Sequence, residues 1–196
     1  MTIEKQIAEK PEIGHPHIRA RRLRQTPNIR AMVQEFALNK SNLVWPMFIT
    51  EIESEKTEIK SLPGVYRIPQ NNILEEIRAA QKVGVQNIML FPVLKKDKKD
   101  FLGKESYNEN GLMQNCIRLI KETFPEIVLF VDVALDPYTT HGHDGITNEH
   151  NYVLNDETIQ VLCKQSLSYA QCGIDFVCPS DMMDGRIGAI RSYLDK

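Results

Sequence analysis

Seven side chains that can carry protons or ligate ions stand between residues 132 and 144: Asp132, Asp136, Tyr138, Thr139, His141, His143 and Asp144. They follow directly on an apolar run, Ile127–Val133 (IVLFVDV). An extended chain alternates its side chains, so Asp132, Ala134 and Asp136 project to one side and Val131, Val133 and Leu135 to the other. Two carboxylates on one face at a strand's end, followed by a Gly-containing turn with His and Asp, make a site constellation, because carboxylate and imidazole are the groups that move protons or hold ions. Any one of these residues alone reads as a turn cap or a solvated group. As a cluster they read as a site, since polar density straight after a buried strand is costly unless it is used.

A second cluster runs Cys178-Pro179-Ser180-Asp181-Met182-Met183-Asp184-Gly185-Arg186 and puts Ser180 and Asp181 at the mouth of another apolar run. Taken alone it reads as a helix start, with Ser180 or Asp181 as cap, Asp184 favouring the helix dipole and the two Met filling core gaps. The pair His141 and His143 has the HxH spacing of metal-dependent barrel hydrolases, but it lies in a turn beyond the third apolar run rather than on a first strand. Lys95-Lys96-Asp97-Lys98-Lys99-Asp100 reads as a solvated loop, and His15 and His17 as exposed groups in a polar tail.

The elements that position these residues alternate. Short, near-continuous apolar runs at Leu43–Ile49, Asn87–Val93, Ile127–Val133 and Ile174–Cys178 read as strands buried on both faces of a parallel sheet. Between them NNILEEIRAAQKVG, GLMQNCIRLIKETFP and NDETIQVLCKQSLSYAQCG carry apolar residues at three-to-four spacing. The spacing predicts helices capped by Asn71 or Asn72 and by Asn155, and ended by Gly84, Pro125 and Gly173. The third helix's apolar stripe is Ile159, Leu162, Cys163, Leu167 and Ala170. AAQKVGVQNIMLFP and SYAQCGIDFVCP share a helix-to-strand junction, which suggests a repeated unit with right-handed crossovers. An open four-stranded α/β sheet and half of an eight-stranded barrel both satisfy this pattern; a whole barrel typically needs ~250 residues.

Composition narrows the rest. Lys and Arg number 24 against 26 Asp and Glu, a net charge of −2, so there is no electrostatic footprint for nucleic acid or an anionic membrane. No apolar run approaches the ~20 residues needed to span a bilayer, and the opening segment lacks the apolar stretch of a secretory signal. Cys116, Cys163, Cys172 and Cys178 form no CxxC pair and read as small buried hydrophobes in a reducing cytoplasm. The first 40 residues, with Arg19, Arg21, Arg22, Arg24 and Arg30, read equally as a solvated basic tail or a subunit-contact arm.

DVALDPYTTHGHDG and PSDMMDGRIGAIRSYLD together resemble the porphobilinogen synthase (5-aminolevulinate dehydratase) family. RARRLRQ, LVWPMFI, SLPGVYRI at 61–68, NIMLFPV and ESYNENGLMQNCIRLIKETFPEI extend the resemblance over residues 19–196. It implies a (β/α)₈ TIM barrel of which residues 41–196 supply about the first four βα units, preceded over residues 1–40 by an arm and lead-in helix that embraces a neighbouring subunit, usually in homo-octamers. The implied reaction condenses two molecules of 5-aminolevulinate into porphobilinogen for heme and other tetrapyrroles. Residue by residue, it implies catalytic roles for Asp132, Ser180 and Asp181 and substrate contacts for Asp136, Tyr138 and His143. Zinc-dependent members carry three cysteines where this chain has Ala134, Asp136 and Asp144. Oxygen ligands suit magnesium, or a monovalent ion such as potassium, so the resemblance implies a metal site at Asp136 and Asp144 without zinc.

One departure is sharp. In the family the two Schiff-base lysines follow the PSDMMDGR helix on strands beyond this sequence, and Lys196 is not at a matching position. The expectation is therefore an enzyme whose nucleophiles lie past residue 196, with the 196-residue chain alone inactive. The alternative is a genuinely truncated half-barrel that at most binds intact subunits.

Overall fold

The computed structural model describes residues 18–196; His15, His17 and the start of the expected arm lie outside the described residues. The described chain divides into two units at Leu38, the second being residues 39–196. Within the first, a 3₁₀ turn over Ala20–Arg24 precedes helix α1, Pro27–Met32. Thr26 caps α1 by accepting the Ile29 N–H at 3.2 Å, and Pro27 takes a first-turn position that needs no donor. The apolar pattern over 29–38 continues as helix only to Met32, where the Val33 N–H returns to the Ile29 carbonyl and closes the turn.

The second unit is an α/β sheet of six strands: β1 Val44–Thr50, β2 Thr57–Glu58, β3 Tyr66–Pro69, β4 Asn87–Val93, β5 Val128–Val133 and β6 Phe176–Pro179. Their order is β2-β3-β1-β4-β5-β6, and every pair is parallel except β2 with β3. The four expected strands are present in the expected order, with β1 one residue later and β6 starting two residues later than their apolar runs. The short β2 and β3 were not anticipated. They flank the SLPGV turn, too short to show any period, and β3 lies along β1 with Phe48 opposite Arg67.

Helices α2 Ile73–Lys82, α3 Leu112–Thr123, α4 Asn155–Gln171 and α5 Arg186–Leu194 follow β3, β4, β5 and β6. Strands β1, β4, β5 and β6 are therefore consecutive in the sheet and separated in sequence by helices, the arrangement of successive βα units. The core joins Met47, Ile49, Ile88, Leu90, Leu129 and Val131 to Ile77, Ile117, Ile120 and Leu162. The other face is less covered than expected: β4 alternates buried and half-buried residues along its whole length. There Phe48 stacks on Phe91 at 5.1 Å and Phe130 on Phe176 at 4.6 Å, each pair in direct cross-strand register.

Helix ends correct the capping expectations. No side chain caps α2; a 3₁₀ turn over Gln70–Asn72 feeds it instead. Asn155 is the first residue of α4 rather than its cap, and its side chain is spent on the 180–185 loop. Gly84 and Gly173 do take the left-handed conformation just past α2 and α4, with φ +86° and +93°. The buried face of α4 is largely polar, with Thr158, Gln165, Ser166 and Ser168 all buried, whereas Ala170 of the expected stripe is exposed.

Leu90 has no solvent exposure and sits mid-sheet between β1 and β5. Leu90→Ala is expected to lower unfolding free energy by roughly 2–5 kcal/mol, read from the urea midpoint at unchanged slope.

Candidate active site

The C-terminal ends of β5 and β6 are adjacent, which is where parallel α/β sheets bind ligands. Register places Asp132 opposite Cys178 and Val133 opposite Pro179, and the Ser180 N–H donates to the Val133 carbonyl at 3.2 Å. Pairing of the two strands thus brings two motifs almost fifty residues apart into one place. An open cleft of about 490 Å³ lies there, lined by Ala134, Asp136, Gly142, His143, Asp144, Ser180 and Met182.

The loop after β5 turns sharply. The N–H groups of Tyr138 and Thr139 both donate to the Leu135 carbonyl at 2.9 Å, and Thr139 Oγ1 donates to the His143 carbonyl at 2.9 Å. This fold-back returns His143 and Asp144 to the strand end, where His143 Nδ1 lies 2.9 Å from Asp144 Oδ1. Asp100 stitches the neighbouring loop to it: its N–H donates to the Tyr138 carbonyl, and its carbonyl accepts the Thr140 N–H.

Asp181 is buried. Its Oδ1 accepts the Met183 N–H at 2.7 Å and its Oδ2 lies 3.2 Å from Arg186 Nε, while Arg186 Nη1 donates to the Met183 carbonyl. Asn155 of α4 clamps the same loop, accepting the Asp184 N–H at 2.8 Å and donating to the Asp184 carbonyl.

Four carboxylates share this space, and burial raises three of them above the ordinary range. For Asp132 desolvation is the main cause, hydrogen bonding to Ser180 opposes it, and the charges of Asp136 and Asp181 add to it. For Asp136 desolvation again leads, with Asp144 raising further and Lys99 working the other way. For Asp181 desolvation outweighs the Met183 N–H and Arg186, and Asp144 adds to the rise. Groups of this kind bind and release protons closer to neutrality than free carboxylates do, which is what general acid–base work requires. Asp132 Oδ1 is buried without a hydrogen-bond partner.

The structure brings Ala134, Asp136, His143, Asp144 and Ser180 to the cleft, with Asp132 and Asp181 buried beside them. Tyr138 departs from expectation. Strand alternation ends at Val133, the fold-back turns the ring inward, and its hydroxyl bonds that of Tyr169 at 2.7 Å in the core. Burial holds the Tyr138 hydroxyl well above its usual value and pushes that of Tyr169 up to about 12, so both stay protonated. Among the described residues no three His, Cys, Asp or Glu side chains converge as a ready metal site. Lys99, through its charge on Asp136, and Asn155, through its clamp, are site features missed in the sequence, because only the loop geometry relates them to it.

A carboxyl raised in the folded state favours folding when protonated and opposes it when ionised, so its cost grows as pH climbs from about 4 through the raised value. Asp132→Asn is therefore expected to melt higher than the parent at pH 8, with the gap shrinking toward pH 4, as followed by circular dichroism at matched ionic strength.

Comparisons with known proteins extend this reading. The family described as delta-aminolevulinic acid dehydratase matches residues 17–196. The chloroplastic delta-aminolevulinic acid dehydratase of Glycine max is 48% identical over 91% of this chain, and that of Oryza sativa subsp. japonica 48% identical over 96%. The crystal structure of the Toxoplasma gondii ME49 enzyme, in complex with the reaction product porphobilinogen, superposes with a TM-score of 0.87 at 42% identity over 92% of this chain. The chain spans 43% and 46% of the two plant proteins and 51% of the Toxoplasma chain. Both plant proteins are named chloroplastic, which overturns the cytoplasmic reading and points to a plastid. Free thiols require a reducing compartment and do not say which one. The six-stranded sheet matches part of the family's TIM barrel, and the chain belongs to the delta-aminolevulinic acid dehydratase, or porphobilinogen synthase, family.

Proposed function

We propose that this chain supplies the carboxylate side of a porphobilinogen synthase site, where two molecules of 5-aminolevulinate condense with loss of two waters. The observation that carries the reading is the convergence of Asp132, Ser180 and Asp181 at two adjacent strand ends, with both carboxyls raised by burial. Asp132 and Asp181 take the proton-transfer roles, with Ser180 opposing part of the burial that raises Asp132. His143 and Asp136 take the substrate contacts, a role supported by their both lining the cleft. The porphobilinogen held by the Toxoplasma relative supports a substrate of this class. No Schiff-base role is assigned to any lysine of residues 1–196, and the 196-residue chain by itself is proposed to be inactive.

The same cleft supports the aspartate-rich, zinc-independent type. Ala134, Asp136 and Asp144, at the positions that carry cysteines in zinc-dependent members, all line it, and none of the four cysteines does. Two carboxylate oxygens completed by waters suit magnesium, with potassium as a monovalent counterpart, and a cation there would relieve the repulsion between Asp136 and Asp144. Residues 1–40 are proposed to act as a contact arm and lead-in helix in a homo-oligomer, an octamer as in the family.

Protein expressed from its complete coding sequence is expected to form porphobilinogen from 5-aminolevulinate and to keep that activity under a zinc-selective chelator. Asp136→Asn combined with Asp144→Asn is expected to raise the magnesium concentration for half-maximal activity at least about tenfold, some 1.4 kcal/mol. Activity that zinc chelation abolishes and only zinc restores would overturn the metal assignment.

A further inference from the structure

We infer that Gln165, Tyr169 and Tyr138 are positioning residues that hold Asp136 through a buried hydrogen-bonded strut between α4 and the 134–138 loop; this rests on the activity proposed above. None of the three lines the cleft. Gln165 has no solvent exposure and donates from Nε2 to two acceptors, the Ala134 carbonyl at 3.4 Å and the Tyr169 hydroxyl at 3.1 Å. The Tyr169 and Tyr138 hydroxyls lie 2.7 Å apart. Ala134 stands two residues before Asp136 and Tyr138 two residues after it, so the strut grips the chain on both sides of that carboxylate.

The strut is braced from behind. Ser168 Oγ donates to the Gln165 carbonyl at 2.8 Å and accepts from Gln114 Nε2 at 2.9 Å. Gln114, on α3, donates also to the Ser106 carbonyl at 3.0 Å. Apolar side chains could fill the same volume, and burying an amide and two phenols is unfavourable unless they are bonded. What the polar choice adds is direction: a hydrogen bond fixes the angle and distance at which the loop meets the helix, where apolar packing tolerates small slips. A carboxylate that must hold substrate and its ion in one pose needs that tolerance removed, since a misplacement of about 1 Å takes the bound reactants out of line and slows chemistry more than it weakens binding.

The test compares Tyr169→Phe, Tyr138→Phe and the double variant in protein expressed from the complete coding sequence. All three keep both rings. Tyr169→Phe strands the Tyr138 hydroxyl, whereas Tyr138→Phe leaves the Tyr169 hydroxyl its Gln165 donor and the double removes both hydroxyls, so the double is expected to recover melting temperature relative to Tyr169→Phe. Positioning predicts that it recovers nothing else. Amide exchange at Tyr138 and Thr139 is expected to run about tenfold faster than in the parent in all three variants. The kcat is expected to fall about tenfold with KM within about twofold. A double variant with parental exchange at those amides would overturn the inference, as would parental kcat. Wild-type protein that forms no porphobilinogen would sink the activity reading instead, and the exchange measurement would still decide whether the strut holds the loop.

Discussion

Asp132 ends a parallel strand with its carboxylate out of water, beside Asp136 and Asp181 and with one oxygen unpartnered. A carboxyl in that position is unfavourable when ionised, and it stays only because the surrounding structure leaves it nowhere else to go. Its neighbours on β5 are locked into the sheet by β4 on one side and β6 on the other. The helices cover one face of that sheet with aliphatic core, and the loops at its C-terminal edge are tied down by side chains of α4. Fold and site are thus linked by one constraint, that a desolvated acid must be held in a defined place.

The loops meet that constraint by different means. The 180–185 segment is clamped by Asn155 and by the ion pair of Asp181 with Arg186, which offsets part of the burial of Asp181. The 134–145 segment folds back on the Leu135 carbonyl, and the stitch through Asp100 joins it to the loop after β4. Three strand ends are therefore mechanically connected at the cleft. Such connections suit a site in which several groups must keep their spacing through a reaction, and they explain why polar residues are tolerated on the buried side of α4.

Much of this was legible in the sequence. Strand β4 has the bounds of its apolar run, the three interior helices stand where their periodicity puts them, and the two site motifs named their cleft residues because strand ends bear function in parallel sheets. Other parts were not legible, for physical reasons. The two residues of β2 are too few to show alternation, and four in β3 barely suffice. Tyr138 was expected to contact substrate from the family resemblance, and nothing in the sequence shows that the loop folds back past Val133 and turns the ring into the core. Gln165 and Ser168 break the apolar stripe of α4 because each has a partner in another element, the Ala134 carbonyl and Gln114, and a periodicity count cannot see partners. The half-exposed face of the sheet was hidden too, since Phe48, Phe91, Phe130 and Phe176 are as apolar as the residues that face the helices.

Family membership sharpens what this half of a site has to do. It gathers acids, a hydroxyl and an imidazole around a cleft, and the proposed reading assigns the Schiff-base role to no lysine of residues 1–196. The most direct test is to incubate protein from the complete coding sequence with 5-aminolevulinate, reduce with borohydride, and map the labelled lysines by mass spectrometry. The account predicts a trapped adduct on no lysine of residues 1–196. Stoichiometric labelling of any lysine within them would contradict it, and would make the cleft between β5 and β6 a nucleophilic site rather than the carboxylate side of one.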